Sequence, residues 1–81
     1  MNFENILTEA EDSRGIRKAV FEIPVVVKSL LAEGKRGVLV GAYGDRHNPV
    51  YLLVKLNEPT DFDLNEIWVR PEDVEISNVR V

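Results

Sequence analysis

Cysteine is absent from this chain of 81 residues. Its absence excludes disulfide bonds, zinc sites built from thiolates and catalysis by a thiol nucleophile. A secreted domain of this size without cross-links would be unusual, because a short chain buries limited apolar surface. The first residues also lack a basic leader followed by an apolar segment. We therefore expect a cytoplasmic protein.

Long apolar runs and the usual catalytic motifs are missing as well. The apolar runs span only a few residues, far short of the ~20 that cross a bilayer, so we expect no membrane span. His47 is the only histidine, and alone it cannot build a transition-metal site. No serine lies in a G-x-S-x-G motif, and no phosphate-binding Walker motif occurs. The sequence predicts a protein that is not an enzyme and holds no cofactor or metal.

One acidic segment has part of the spacing of a calcium-binding loop. Positions 1, 3, 5 and 12 of an EF-hand loop would be Asp61, Asp63, Asn65 and Glu72. Position 6 requires glycine for a sharp turn, and this chain has Glu66 there. We interpret the segment as an acidic surface loop.

Charge is unevenly distributed along a chain of net charge −4. Residues 1–12 carry four carboxylates and no base, and residues 57–75 carry seven carboxylates and one arginine. Residues 14–55 carry eight lysines and arginines against three acids. Two interpretations are open: the acidic flanks fold beside the basic middle and neutralise it, or the middle presents a basic face to an acidic partner.

The N-terminal residues have the spacing of a short helix. Within residues 2–12, Phe3, Ile6 and Leu7 would share one helical face. This apolar stripe either packs on the rest of the domain or is available to a partner. We predict a single domain over residues 1–81, with a helical extension at 1–14 and a β-rich core at 16–81.

Residues 24–33 are ambiguous between strand and helix. Three consecutive valines from Val25 favour a strand, whereas Pro24 and the spacing of Val27, Leu30 and Leu31 favour a helix. Before them, residues 16–23 alternate as a strand with Ala19, Phe21 and Ile23 on one face. The fold is therefore mostly β, and an α+β arrangement remains open.

The centre of the chain predicts a β-hairpin. Residues 37–43 form one apolar strand, with Val38, Val40 and Ala42 on one face and Leu39 and Tyr43 on the other. The turn-forming residues GDRHNP follow, and VYLLVKL is the returning strand. A short strand at IWVR and a last one after Pro71 complete about five strands.

The order of these runs resembles the SH3-like small β-barrels as a class. That class includes KOW-type domains of ribosome and transcription factors and small accessory subunits of electron-transfer complexes. A glycine before the central hairpin, a returning P-V-Y-type strand and a turn before the last strand match at Gly37, residues 49–54 and residues 72–76. The resemblance covers about residues 25–76 and implies a small antiparallel barrel used for binding.

We predict a non-enzymatic module that binds a protein partner through an apolar or aromatic anchor. The candidate anchor residues are Phe3, Ile6, Leu7, Tyr43, Tyr51 and Trp68. Tyr51 and Trp68 are either core residues or the walls of an exposed groove, and the sequence leaves both open. Segregated charge would orient the encounter. Homodimerisation through an edge strand is a companion hypothesis.

The alternative is a KOW-like barrel that binds nucleic acid through basic loops. Its candidate residues are Lys35, Arg36, Arg46 and His47, which we expect around two loops at one end of the hairpin. Cations there would contact phosphates and give a salt-dependent attachment.

Overall fold

The computed structural model describes Phe3, residues 5–29 and residues 32–76, and these contain five β-strands. The strands are β1 (Ile16–Val27), β2 (Arg36–Gly44), β3 (Pro49–Leu56), β4 (Glu66–Val69) and β5 (Val74–Ile76). A 3-10 turn, Pro71–Asp73, lies between β4 and β5. Within the described ranges, no helix has the length and apolar character needed to cross a bilayer.

All five strands form one antiparallel sheet in the order β4-β3-β2-β1-β5, curled into a half-barrel. The first four strands follow one another as a meander. The chain then returns to the far side of the sheet, where β5 pairs with the end of β1. The prediction of a mostly β fold with about five strands is confirmed.

The strand β1 is long and bent. Lys18 pairs with Gly41 and Ile23 pairs with Leu39, so four residues of β1 bulge opposite a single residue of β2. The bulge leaves Phe21 exposed although Ile23 is buried, which corrects the prediction that these two share one face. Residues 24–27 continue the strand, so a helix beginning at Pro24 is wrong, while Leu30 and Leu31 lie outside the described residues.

A second bulge changes which residues of β2 face the core. Leu39 pairs with Val54 and Gly41 pairs with Leu53, so Val40 is the extra residue. Leu39 and Ala42 are both fully buried, whereas the predicted alternation placed them on opposite faces. A one-residue insertion exchanges the faces of every residue beyond it, which explains the difference.

The core fills the concave side of the half-barrel. Its members are apolar side chains from β1 to β4, from Ala32 and from the N-terminal residues, and Val74 and Ile76 of β5 pack against them. The fully buried large side chains include Leu7, Leu39 and Leu52. Residues far apart in sequence therefore share one apolar cluster, whose burial drives folding.

The predicted helix at residues 2–12 is not seen in the described part of this stretch. The amides of Ile6 and Leu7 donate to the carbonyl of Phe3 and form a turn. Leu7 then bridges to Ala19 of β1, and the amide of Val20 donates to the carbonyl of Ile6. A helix of eleven residues is marginal alone, and the open edge of β1 offers main-chain partners instead.

Arg17 fastens this N-terminal segment (Phe3 and residues 5–12) to the sheet. Its guanidinium donates to the carbonyls of Thr8 and Glu9, while its Nε donates to the carbonyl of Gly44 at 2.8 Å. It also lies 3.3 Å from the carboxylate of Glu11.

Ion pairs neutralise the acids of the N-terminal segment locally. Besides the pair with Arg17, Glu9 lies 3.4 Å from Arg46, and Asp12 lies 3.0 Å from Arg14. This matches the interpretation in which an acidic flank folds beside the basic middle of the chain. Such exposed pairs contribute little stability each, so the apolar contacts dominate the docking of the segment.

Leu7→Ala should lower the free energy of unfolding by about 2–4 kcal/mol, because a fully packed leucine leaves a cavity. Urea denaturation followed by circular dichroism measures the change. The control is Phe62→Ala, whose side chain is 75% exposed, and it should change stability by no more than about 0.5 kcal/mol. Equal losses of unfolding free energy in the two variants would show that the N-terminal segment does not complete the core.

Candidate functional site

Three aromatic side chains lie together on the convex face of the sheet. Tyr43 on β2 is directly opposite Tyr51 on β3, and Trp68 on β4 is opposite Leu53. Side chains alternate along a strand, so Tyr51 and Leu53 project from the same face and Trp68 stands diagonal to Tyr51. Three neighbouring strands thus each contribute one ring to a common surface.

The rings are half exposed and enclose a shallow cleft. Tyr43, Tyr51 and Trp68 are 48%, 40% and 44% exposed, so of the two interpretations of Tyr51 and Trp68 the exposed one applies. The aromatic cleft has a volume of about 410 Å³ and is lined by these rings with Arg14 and Ile16. Its surface is almost wholly hydrocarbon. Such a surface is suited to binding apolar groups.

A tight turn places Arg14 and Ile16 in the cleft. One carboxylate oxygen of Asp12 accepts the amide protons of Arg14 at 2.8 Å and Ile16 at 3.0 Å. Its other oxygen accepts from the Arg14 guanidinium at 3.0 Å. The amide of Gly15 donates to the carbonyl of Asp12 at 2.9 Å, which closes the turn. Asp12 is therefore a positioning residue for one wall of the cleft.

Gly15 allows the Tyr43 ring to rest on this turn. Its φ of +83° lies in the left-handed region, where residues with a side chain are strained. A Cβ atom at this position would stand 3.1 Å from Cε1 of Tyr43. A larger residue would therefore strain the turn and push the ring outward.

Gly41 forms part of the floor of the same face. It lies between Lys18 and Leu53 in the register of the sheet. A Cβ atom there would come within 2.9 Å of the carbonyl oxygen of Arg17, too close for β1 and β2 to keep their spacing. The same Cβ atom would stand 3.3 Å from Cγ2 of Ile16, so Gly41 lets the Ile16 side chain pack closely over the sheet.

The hydrogen bonds at the turn lower the pKa of Asp12 below its ordinary value of 3.8. The largest cause is the amide of Ile16, which donates to the carboxylate. Partial burial opposes the shift, and the amide and guanidinium of Arg14 add to it. The ionised form of Asp12 is thus the form that the turn requires.

The other predicted anchor residues lie elsewhere. Phe3, Ile6 and Leu7 are buried in the core, so the apolar stripe packs on its own domain. Arg14 and Ile16 were not among the predicted site residues. The turn-forming letters D-S-R-G mark a chain break in the sequence, but nothing in them shows that the turn reaches the three rings.

The predicted basic residues do not form one patch. Lys35 and Arg36 stand at the beginning of β2, whereas Arg46 and His47 follow its end. A strand of this length separates the two pairs by about 30 Å, which corrects the expectation that they share one end of the hairpin. Lys35 and Arg36 line a separate polar hollow that also contains two carboxylates, Glu33 and Glu58.

The acidic loop between β3 and β4 is held by a hydroxyl group. Thr60 is buried, and its Oγ1 accepts the amide protons of Phe62 and Leu64, both at 3.2 Å. Asp63 adopts a positive φ of 63° within the turn. In the part of the chain that the structure describes, no group of three or more His, Asp or Glu is placed to hold a metal ion.

The chain matches no protein family, no curated protein and no solved structure. Its function must therefore be argued from the aromatic cleft itself, because a β-fold alone is compatible with many functions.

Asp12→Asn should reduce stability at neutral pH and leave it unchanged in strong acid. A lowered folded pKa means that ionised Asp12 stabilises the native state above its unfolded pKa of about 3.9. That contribution is lost as the pH falls through the folded pKa. Urea midpoints of the two proteins should differ at pH 7 and converge in strong acid, once the pH has fallen below the folded pKa.

The control for this comparison is Asp61→Asn, in the exposed loop between β3 and β4. It should leave the urea midpoint at pH 7 unchanged, because the Asp61 side chain is exposed. A constant difference between the Asp12→Asn variant and the wild type at every pH would contradict the role of the ionised carboxylate.

Proposed function

We propose that this protein is a non-enzymatic module that binds a protein partner through the aromatic cleft. The observation that carries the proposal is the convergence of three half-exposed rings, from three adjacent strands, on one apolar cleft. Tryptophan, tyrosine and arginine are the residue types enriched at the energetic centres of protein interfaces. The cleft contains all three types, with Trp68, Tyr43 and Arg14 among its lining residues.

The size of the cleft indicates the kind of contact. The exposed parts of the three rings offer roughly 250 Å² of surface, given about 200 Å² for each whole side chain. A stable interface buries about 800 Å² on each partner. The cleft would therefore act as the anchor of a transient contact, or as the centre of a wider one.

We infer that the half-barrel is of the SH3-like type. The supporting observations are the pairing of β1 with both β2 and β5, the meander of β2, β3 and β4, and the 3-10 turn before the last strand. Gly37 begins the paired part of the central hairpin, as the resemblance in the sequence implies. Small barrels of this kind bind extended ligands against exposed aromatic side chains.

The nucleic-acid alternative loses its main support in the geometry. It relied on a shared patch of Lys35, Arg36, Arg46 and His47, and these residues stand at opposite ends of β2. It is retained below as an outcome of the experiments. A cytoplasmic location and the possible homodimer stay predictions.

Site-specific photo-crosslinking in the expressing cell tests the proposal. In one variant a photoreactive benzophenone amino acid replaces Tyr43. In a second variant it replaces Phe62 in the β3–β4 loop. The residue at position 43 should give a discrete adduct that protease destroys and nuclease leaves intact. The same adduct should disappear when Trp68→Ala is added, because the cleft then lacks one of its three rings.

The variant with the probe at position 62 is the matched control. Position 62 should not give that adduct. The Trp68→Ala chain should keep its free energy of unfolding within about 1 kcal/mol of the wild type, because the Trp68 ring is half exposed. A nuclease-sensitive adduct would support the nucleic-acid alternative. An adduct of twice the chain mass would identify a homodimer, and the absence of any adduct at position 43 would overturn the proposal.

A further inference from the structure

We propose that the segment bound in the aromatic cleft is an acidic peptide, with an apolar side chain flanked by carboxylates. This inference rests on the proposed function and adds the chemistry of the partner. It follows from the charges on the face of the sheet that carries the cleft.

At its paired strand positions that face carries slightly more cations than acids, although the chain as a whole is acidic. The cations are Lys18, Arg36 and Lys55, and the acids are Glu66 and Glu75. Of these cations, Lys18 lies in the same cross-strand row as Trp68. Most of the fourteen acids in the chain are located elsewhere.

Two arginines border the cleft itself. Arg14 lines it, and Arg70 follows Trp68 by two residues in extended backbone, which places it on the same face. Each has one carboxylate nearby, Asp12 at 3.0 Å and Glu72 at 3.8 Å. These arginine side chains are 73% and 65% exposed, so both remain accessible to a ligand.

Lys18 is the lysine of this face that is available to a ligand. Among the residues described it forms no ion pair within 4 Å, whereas Lys55 stands directly opposite Glu66 across β3 and β4. Lys18 lies in the same cross-strand row as Gly41, Leu53 and Trp68, so it stands on the β1 side of the face that carries the cleft. A carboxylate arriving there would gain a charge partner without displacing one.

The spacing of the cations sets the spacing of the carboxylates. Lys18 on β1 and Arg70 after β4 are three strands apart, or about 15 Å at the usual strand separation. An extended peptide covers that distance in four to five residues at about 3.4 Å each. The matching segment therefore carries two acids about four residues apart, with an apolar residue between them in the cleft.

A peptide fits this face better than a nucleic acid does. The whole chain carries a net charge of −4, which repels a long polyanion at a distance. The cleft is hydrocarbon with a single charged lining residue, Arg14, so it accommodates one apolar side chain rather than a run of phosphates. Two carboxylates on a short peptide would pair with the flanking cations without approaching the acidic loop between β3 and β4.

NMR titration of the isotopically labelled full chain tests the inference with defined probes. The first is a capped nine-residue peptide with phenylalanine at its centre and glutamate two residues away on each side. The second has lysine in place of both glutamates, and the third is a ten-residue oligothymidylate. The glutamate peptide should shift the amides of Tyr43 and Tyr51 and the indole of Trp68. The lysine peptide should bind at least tenfold more weakly.

Charge reversal supplies the decisive comparison. Lys18→Glu should weaken the glutamate peptide about tenfold and strengthen the lysine peptide. The control is Lys28→Glu, which makes the same change of charge beyond the end of β1. Lys28 pairs there with Glu75 at 3.2 Å. This variant should bind both peptides with unchanged affinity. Retained dispersion of the core signals shows that each variant is folded.

The outcomes separate this inference from the proposed function. Equal or stronger binding of the lysine peptide at the cleft would overturn the acidic partner and leave the protein-binding cleft standing. Shifts with oligothymidylate alone, lost at moderate salt, would overturn both in favour of nucleic acid. An absence of shifts at the cleft with every probe at millimolar concentration would also overturn both.

Discussion

The main-chain pairing of β1 is the constraint on which the rest of the structure depends. One edge of this strand pairs with β2, and the other pairs with β5 near Val25 and with the N-terminal segment near Ala19. These pairings curl the sheet and bring both ends of the described chain onto one core. The bulge between Lys18 and Ile23 makes this possible, because a straight strand could not bend around the core.

The bulge at Val40 connects the fold to the cleft. In a regular strand Leu39 and Tyr43 would project from the same face, since they are four residues apart. The extra residue directs Leu39 into the core and leaves Tyr43 outside, opposite Tyr51. A single irregularity in the ladder thus supplies a core leucine and an exposed ring from one strand. Bulges are often found next to functional sites for this reason.

The sequence predicts the regular parts of this structure and misses its irregular parts. The hairpin follows from alternating apolar residues around a dense group of turn formers, and β2 and β3 are found there. The two bulges cannot be recognised from the residue composition. Simple alternation therefore predicts the core-facing and exposed sides of β1 and β2 only in part. The spacing of Phe3 and Ile6 fits a helix and an apolar turn equally well, and tertiary pairing selects the turn. The exposure of Trp68 depends on which face meets the core, which local sequence does not determine.

The pairing of β1 with β5 also affects the incomplete chain during synthesis. On the edge that faces β5, Val25, Val26 and Val27 meet their partners only when Val74 to Ile76, about fifty residues later, have been made. Until then a run of three β-branched residues presents unpaired main-chain groups on a strand edge, the feature that promotes association between chains. Contacts of such long sequence separation also slow folding. The step that closes the half-barrel is therefore the one at which unfinished or slowly folding chains are most exposed to aggregation.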